Sequence, residues 1–449
     1  MKERKENQNP KARIAFMVWS PFHYYIYKNI VKYLPEAEFI LCPPWYKWGK
    51  EREADLNEMA AFFKEKETRW QVLTEIDDQV IVEKFFEPYQ VICSVFLQPP
   101  LDTLALDSWF LKKKSILIAY GAWGKDLATV APWTAWFDYS LAEGPATAEF
   151  HKLLTDTYIV GFPKYDDWFS NTFDFKKIEE IKNKLNPHKK TVLYLPTHSG
   201  LSSLPAYGEA VRNLLKNYNV LVKFHNHNTL AEKNEVERFR QESRVLLFGA
   251  NDDLLPLLFL ADVVVSDYSS VLFETILVDK PLVIPNIFDS SVIQKHITNE
   301  EFNGFWYSGG LTSQQSIEEA LQPDTAPGVI VHDSDKLQQG LEEALTLTEN
   351  FLERRKKLRE KVFIQEDGKS GERAARAIQI ILGQQKPIPP LLGMSFRSYL
   401  EGFYKNYQFR IEQKKIRIYE LRKRLSSFEK IQKERNLFRK IRFIIEQFL

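Results

Sequence analysis

Cysteine is almost missing from this chain: Cys42 and Cys93 are the only two among 449 residues. Two thiols cannot build a disulfide framework or a cysteine-based zinc site. Each lies in or beside an apolar run, where a thiol packs as a small hydrophobe, and such sparse usage points to a reducing compartment. Long apolar stretches are missing too. No run reaches the roughly 18 uncharged apolar residues that a membrane span needs. The polar start MKERKENQNPKAR leads into an apolar run, Ile14 to Trp19, that is too short for a signal peptide's hydrophobic region. The expected location is cytoplasmic, with any membrane contact peripheral on the inner face of the cell membrane. A dominant charge is also lacking. The formal net charge is +1, so the chain as a whole lacks the basic surface that nucleic acid requires, and no nucleic-acid partner is expected.

Hydrophobic residues make up 44% of the chain, ample for packed cores and too many for a disordered polymer. They fall into short runs. Residues 13–19 (RIAFMVW) read as a buried strand, followed by Ser20-Pro21, the helical pattern FHYYIYKNIVKYL and a second strand, AEFILC. Further strands are expected at 91–96, 115–120, 137–142 and 158–161. The pattern restarts after FKKIEEIKNKL and Asn186-Pro187, with strands at 191–196, 219–225, 244–249, 262–267 and 281–286 and helical runs at 254–261 and 270–278 between them. Short β-rich apolar runs alternating with helices predict parallel sheets covered on both faces. The fold class is α/β, in two halves whose boundary is expected near 165–188. The expected division is a disordered start at 1–12, a first Rossmann-like domain at 13–187 and a second at 188–385, with 316–382 reading as helical. A Pro-rich linker (QQKPIPPLL) and a tail complete the chain at 386–449. From Glu401 onward 14 Lys and Arg face 6 Glu, with Phe, Ile, Leu and Tyr interspersed. A basic amphipathic helix on an anionic membrane surface and a coiled coil with solvated charges both fit that pattern.

Ligands of such sheets sit at the carboxyl ends of the strands, and with two halves the cleft between them is the expected site. Ser266-Asp267-Tyr268-Ser269-Ser270 lies between the strand DVVVSD and a helix. Free backbone N–H groups at the helix start, with hydroxyls beside them, form a phosphate cradle; the same residues also make an ordinary N-cap. Glu274, four residues past Ser270, shares its helix face and would meet a donor hydroxyl or balance the helix dipole. Lys223-Phe224-His225-Asn226-His227 ends another strand, where alternation puts Lys223, His225 and His227 on one face. His225 suits a general base and Lys223 a charge partner for phosphate, against the plain alternative of a structural histidine. No carboxylate lies nearby in sequence to complete a metal site, so neither metal nor cofactor is expected. Thr197, His198 and Ser199 follow the strand TVLYLP in a hydroxyl-rich turn that suits an anion or a plain polar loop equally. Tyr120-Gly121-Ala122-Trp123-Gly124-Lys125 follows a strand of the first half, its glycines permitting close backbone approach. Gly368-Lys369-Ser370 imitates the end of a P-loop, but Phe363 stands where the first glycine belongs and no strand precedes it. The aromatic residues are assigned to the cores and to the lining of an acceptor groove.

These pieces together resemble the CDP-glycerol glycerophosphotransferase family, the teichoic-acid-type polyol-phosphate transferases of GT-B-like fold. The resemblance spans roughly 110–380 and is best over NDDLLPLLFLADVVVSDYSSVLFETILVDKPLVIP, which repeats in order the family's acidic-start helix, strand, T/S-D-Y-S-S, acidic helix and K-P. It adds Asn251 and Asp252 to the donor-site candidates. VLVKFH resembles the strand ending in a basic residue and His; GFPKYD (161–166) resembles G-x-P-R-x-D with Lys164 for Arg, and DGKSGER (367–373) resembles D-G-x-x-x-x-R. Two departures mark a divergent member. Tyr120 stands where the family has a His in His-Gly-x-x-x-Lys, although Gly121 and Lys125 match, and P-T-H-S-G lacks the Arg of P-T-W/F-R-D.

The resemblance implies two Rossmann-like halves around a central cleft with a helical C-terminal tail. It also implies transfer of a polyol phosphate, of which glycerol phosphate is the expected one, from a CDP-activated donor to a polymer or lipid-linked hydroxyl acceptor in cell-surface polymer synthesis. His225, Lys223, Tyr120 and Lys125 are the expected catalytic set. Asp267, Tyr268, Ser269, Ser270, Glu274, Thr197, His198, Ser199, Gly121, Asn251 and Asp252 are expected around the donor. A glycosyltransferase using a nucleotide sugar and a non-catalytic scaffold with a coiled-coil tail are the alternatives.

Overall fold

Each run of buried β-formers becomes a strand of one of two parallel sheets in the computed structural model. It describes residues 14–42, 49–74, 79–95, 112–119, 121, 132–197, 202–225, 230–249, 251–267, 269–286, 326–346, 348–364, 366–395 and 397–398. The first sheet contains β1 (Ile14–Val18), β2 (Ala37–Leu41), β3 (Trp70–Val72), β4 (Val91–Ser94), β5 (Lys114–Ile118), β6 (Tyr139–Ala142) and β7 (Asp156–Ile159), in the order β3-β2-β1-β4-β5-β6-β7. The second contains β8 (Thr191–Leu195), β9 (Asn219–Lys223), β10 (Leu246–Phe248), β11 (Val263–Ser266), β12 (Leu282–Pro285) and β13 (Val329–Val331), in the order β10-β9-β8-β11-β12-β13. Every strand pairing among the described residues is parallel, as the continuous apolar strands require.

Both orders reverse direction at one place, between β1 and β4 in the first sheet and between β8 and β11 in the second. Neighbouring loops diverge there and leave a crevice at the strands' carboxyl ends. In the second sheet Val263–Ser266 pairs with Val192–Leu195, so Thr197 and Asp267, the residues leaving these strands, emerge side by side.

Two strands escape the periodic reading. β3 is three residues long and only half-buried. β13 lies in the stretch 316–382 that reads as helical, and it closes the second sheet's edge beside β12; residues 316–325 fall outside the described residues. Three residues carry too little periodicity to be told from a helix turn.

The cores also divide differently from a linear cut at 187. Phe162, Tyr165 and Ile181 pack with Leu193, Leu258 and Phe273 of the second half, so the first crossing comes at about Gly161. The helix Ser370–Gly383, expected with the second half, returns to the first: Ala374, Ile378 and Ile381 pack with Phe16, Tyr27 and Ile30. The segment after it is no free linker. Lys386 and Arg397 both reach the buried Asp138 (3.1 and 3.6 Å), and Lys114 donates to the carbonyls of Ile381 and Leu382. The basic tail from 399 onward lies outside the described residues, and among them no helix is long and apolar enough to cross a membrane.

Candidate functional site

Asp267 organises the second sheet's crevice. It leaves the end of β11 with no exposed surface. Its carboxylate accepts the backbone N–H of Thr197 (2.9 and 3.0 Å to the two oxygens), the N–H of Ser203 (2.8 Å) and the Ser203 hydroxyl (2.8 Å). Tyr194 and Ser203 extend the network through their hydroxyls, 2.8 Å apart. A carboxylate so occupied fixes the loop after β8 against the loop after β11. Asp267, expected beside the donor, braces the two loops in this structure, its carboxylate accepting two backbone N–H groups and one hydroxyl. Thr197 is likewise buried and contributes its backbone.

The helix Ser270–Leu277 starts beside this brace. Ser269 is its N-cap in extended conformation, its hydroxyl accepting the Val271 N–H at 3.2 Å. Ser270 meets the other half of the molecule: a Cβ built on Gly121 would lie 2.9 Å from the Ser270 Cβ. Any side chain at 121 would push the halves apart, so glycine is the residue that fits there. The structure thus brings Gly121 to the cradle. Tyr120, Lys125, Tyr268, His198, Ser199 and His227 lie outside the described residues.

Glu274 shares the helix face of Ser270, but it is 2% exposed and already engaged. Lys164 Nζ pairs with Glu274 Oε2 at 2.5 Å, and the Tyr165 hydroxyl donates to the same oxygen at 2.7 Å. Glu274 thereby attaches the Ser270 helix to the crossing segment. Asn251 and Asp252 also do other work. The Asn251 amide donates to Glu58 of the first half (2.7 Å), and Asp252 accepts the Gly249 N–H (2.8 Å) to close its own turn.

Strand β9 delivers Lys223 and then His225 to the crevice. Phe224 between them turns the other way and packs edge-on against Phe239, as alternation demands. Lys223 Nζ donates to the Gly249 carbonyl at 2.6 Å. Burial, reinforced by the charge of Lys164, pushes its pKa down to about 8, against the opposing pull of Asp252, Asp253 and Glu274. His225 lies just past the strand, half-buried. The first sheet's own switch point holds His23, which the sequence did not single out. Its Nδ1 accepts the Trp19 N–H at 3.1 Å, and burial lowers its pKa to about 3, so it stays neutral. Among the described residues no group of three or more His, Cys, Asp or Glu could hold a metal ion.

The crossing segment is the part that residue-by-residue reasoning missed. Successive residues of Lys164-Tyr165-Asp166-Asp167 serve opposite halves. Lys164 and Tyr165 hold Glu274 of the second. Asp166 accepts the N–H groups of Ser370 (2.9 Å) and Gly371 (2.6 Å), capping the helix that returns to the first half, and Asp167 pairs with Lys28 there. Arg373 adds a bond from Nε to the Val160 carbonyl (2.8 Å) and one from Nη1 to Asp367 (2.8 Å). GFPKYD and DGKSGER, more than 200 residues apart in the chain, are thus the two sides of one joint. The signal was present in those two motifs; their contact was not.

Residues 136–289 match the family model described as CDP-Glycerol:Poly(glycerophosphate) glycerophosphotransferase. The chain resembles that family. The matched stretch runs from before β6 to past β12, so it contains the crossing segment, Lys223, the Asp267 brace and the Ser270 helix, and it supports a transferase enzyme. Among solved structures the chain is similar to the Wall Teichoic Acid Polymerase TagF. A histidine variant of TagF soaked with CDPG is 16% identical, with a TM-score of 0.56, covering 84% of this chain and 90% of that one. TagF itself gives 15% and 0.53, over 83% and 89%. MnaA of S. aureus, in a co-structure with UDP, gives 12% and 0.51, over 84% and 98%. At these identities the likeness concerns the fold, which is GT-B-like. No curated protein sequence matches.

Proposed function

We propose that the chain transfers a polyol phosphate, glycerol phosphate first among candidates, from a CDP-activated donor to a hydroxyl of a cell-surface polymer or its lipid-linked precursor. The observation that carries this reading is that the family match falls on the braced switch point of the second sheet, where the Ser270 helix, Lys223 and His225 converge. The acceptor oxygen attacks the donor's β-phosphorus, and the bond from that phosphorus to the bridging oxygen breaks. CMP leaves with the electron pair, and His225 takes the acceptor's proton. N–H groups at the helix start and the Lys223 ammonium stabilise the phosphoryl charge, so that positioning and fixed electrostatics supply most of the rate.

Nucleotide release tests this directly. CDP-glycerol and CDP-ribitol are offered beside UDP-, GDP- and CMP-sugars, with melting followed in parallel. Release of CMP with a CDP-polyol is the expected result. A response confined to a sugar nucleotide would assign the chain to glycosyl transfer, and silence throughout would favour a scaffold.

Lys223 gives the reading a pH signature. Four charged groups face it: Lys164 from the crossing segment, Asp252 and Asp253 from the loop after β10, and Glu274 from the Ser270 helix. Its ammonium is fully present well below about 8 and is lost as pH rises through that value. Affinity for CDP should hold at pH 6–7 and fall above pH 8, and Lys223→Met should bind weakly with no such fall. A wild-type affinity flat from pH 6 to 9 would remove Lys223 from the phosphate site.

A further inference from the structure

The segment 386–397 is amphipathic in the reverse of the usual sense. Its charges point inward. Lys386 and Arg397 both reach the buried Asp138, and Lys386 Nζ also donates to the Lys113 carbonyl (3.0 Å). Arg397 adds bonds to the carbonyls of Ala135 (2.8 Å) and Phe137 (3.1 Å). The apolar residues point outward instead. Ile388 and Leu391 are 87% and 81% exposed, and Leu392 and Met394 lie open beside them in the chain. Gly393 holds this arrangement against the first half, since a Cβ there would fall 1.9 Å from the Leu154 carbonyl oxygen. Leu153, next to Leu154 in the chain, is exposed as well. Single exposed apolar side chains are ordinary on a protein surface. Four within seven residues, on a backbone pinned by buried charges, mark a contact surface.

The charge of the chain that follows selects the occupant. From Glu401 onward 14 Lys and Arg face 6 Glu. A second copy docked on the same patch would bring two such stretches of like charge together, and they would repel. An anionic lipid surface takes both parts: apolar side chains bury at the headgroup boundary, and the basic stretch is attracted to the negative charge. Lys113, Asp138 and Leu154 precede β5, β6 and β7, so the segment docks at the amino ends of these strands, whereas the crevice opens at carboxyl ends.

We infer that the outward face of 388–394 docks on an anionic lipid surface together with the basic stretch that follows it. The first half is then held with its amino edge against the lipid and its crevice turned away. The inference needs neither the donor nor the reaction of the reading above.

Flotation of the full chain with vesicles tests it, using phosphatidylglycerol and phosphatidylcholine in equal parts beside phosphatidylcholine alone. Wild-type protein should float with the anionic vesicles at low salt and far less with the neutral ones. Ile388→Ser with Leu391→Ser should weaken that partition by about tenfold or more, as the loss of two partly inserted side chains does, at an unchanged melting temperature. Ile388→Phe with Leu391→Phe should keep it. Partition of the serine variant equal to wild type would overturn the inference, because the basic stretch would then bind unaided. Wild-type protein that stays unbound at low salt would overturn it as well. So would a dimer, seen by light scattering in protein that binds no vesicle, that the serine substitutions dissociate; it would give the patch to a second copy.

Discussion

Asp267→Ala should lower the stability of the second half by about 3–5 kcal/mol, because the substitution strands three buried donors that a charge had satisfied. The donors are the N–H groups of Thr197 and Ser203 and the Ser203 hydroxyl. The carboxylate they lose has no exposed surface. For a unit of this size each kcal/mol moves the midpoint by roughly 2–4 °C, so thermal unfolding should come about 6–20 °C earlier. Asp267→Asn keeps the volume but turns an amide N–H toward backbone N–H groups, and should recover only part of the loss. A residue that merely touched the donor would behave otherwise, raising KM at an unchanged Tm. Circular dichroism melts of the unliganded protein decide between the two; an unchanged midpoint would show that Asp267 does not brace the loops.

Gly371→Ala should be nearly as damaging, through the joint. A Cβ at 371 would fall 2.0 Å from the Asn29 carbonyl oxygen and 2.5 Å from its carbon, a clash with backbone that no rotamer relieves. The helix Ser370–Gly383 would have to lift from the helix His23–Val31 or lose its cap from Asp166. Overpacking of this kind costs about 1–3 kcal/mol, more when backbone must move, and weakening the charge-assisted cap adds about 1 kcal/mol. Gly161 tells the same story from the other side: its φ is +89°, and a Cβ there would meet the Ser370 hydroxyl at 2.4 Å. The expected result for Gly371→Ala is a lower melting point together with faster proteolysis near 161–174. Gly383→Ala, whose Cβ would meet nothing within 4 Å, is the control. Equal melting of the two variants would show that the joint is looser than described.

The two halves compare instructively with the sequence that encodes them. Strands β1, β2, β4 and β8 to β12 were legible because a parallel strand covered on both faces must be apolar throughout, and a short apolar run needs no partner to be recognised. The switch-point location of the Asp267 loop followed from the same rule, since the carboxyl ends of such strands are where loops gather. Other features required contacts that no spacing encodes. Asp267 and Glu274 read as ligands because an acid beside a helix start suits an anion-site neighbour as well as a brace. Only the placement of Ser203 against one, and of Lys164 and Tyr165 against the other, shows the bracing contacts. Lys28 gave no local sign at all, because its partner Asp167 is fixed by a crossing 139 residues later.

By itself, then, the sequence determined the α/β class, the two parallel sheets and the carboxyl-edge position of Lys223, His225 and the Ser269-Ser270 helix start. These depend on periodicity and on the chemistry of residues adjacent in the chain. Tertiary structure alone decided that Asp267 and Glu274 are braces, that Ser370–Gly383 returns to the first sheet, and that GFPKYD and DGKSGER form one joint. The reason is physical: a buried charge takes its role from whichever donors surround it, and those donors come from residues brought together only when the two sheets have folded.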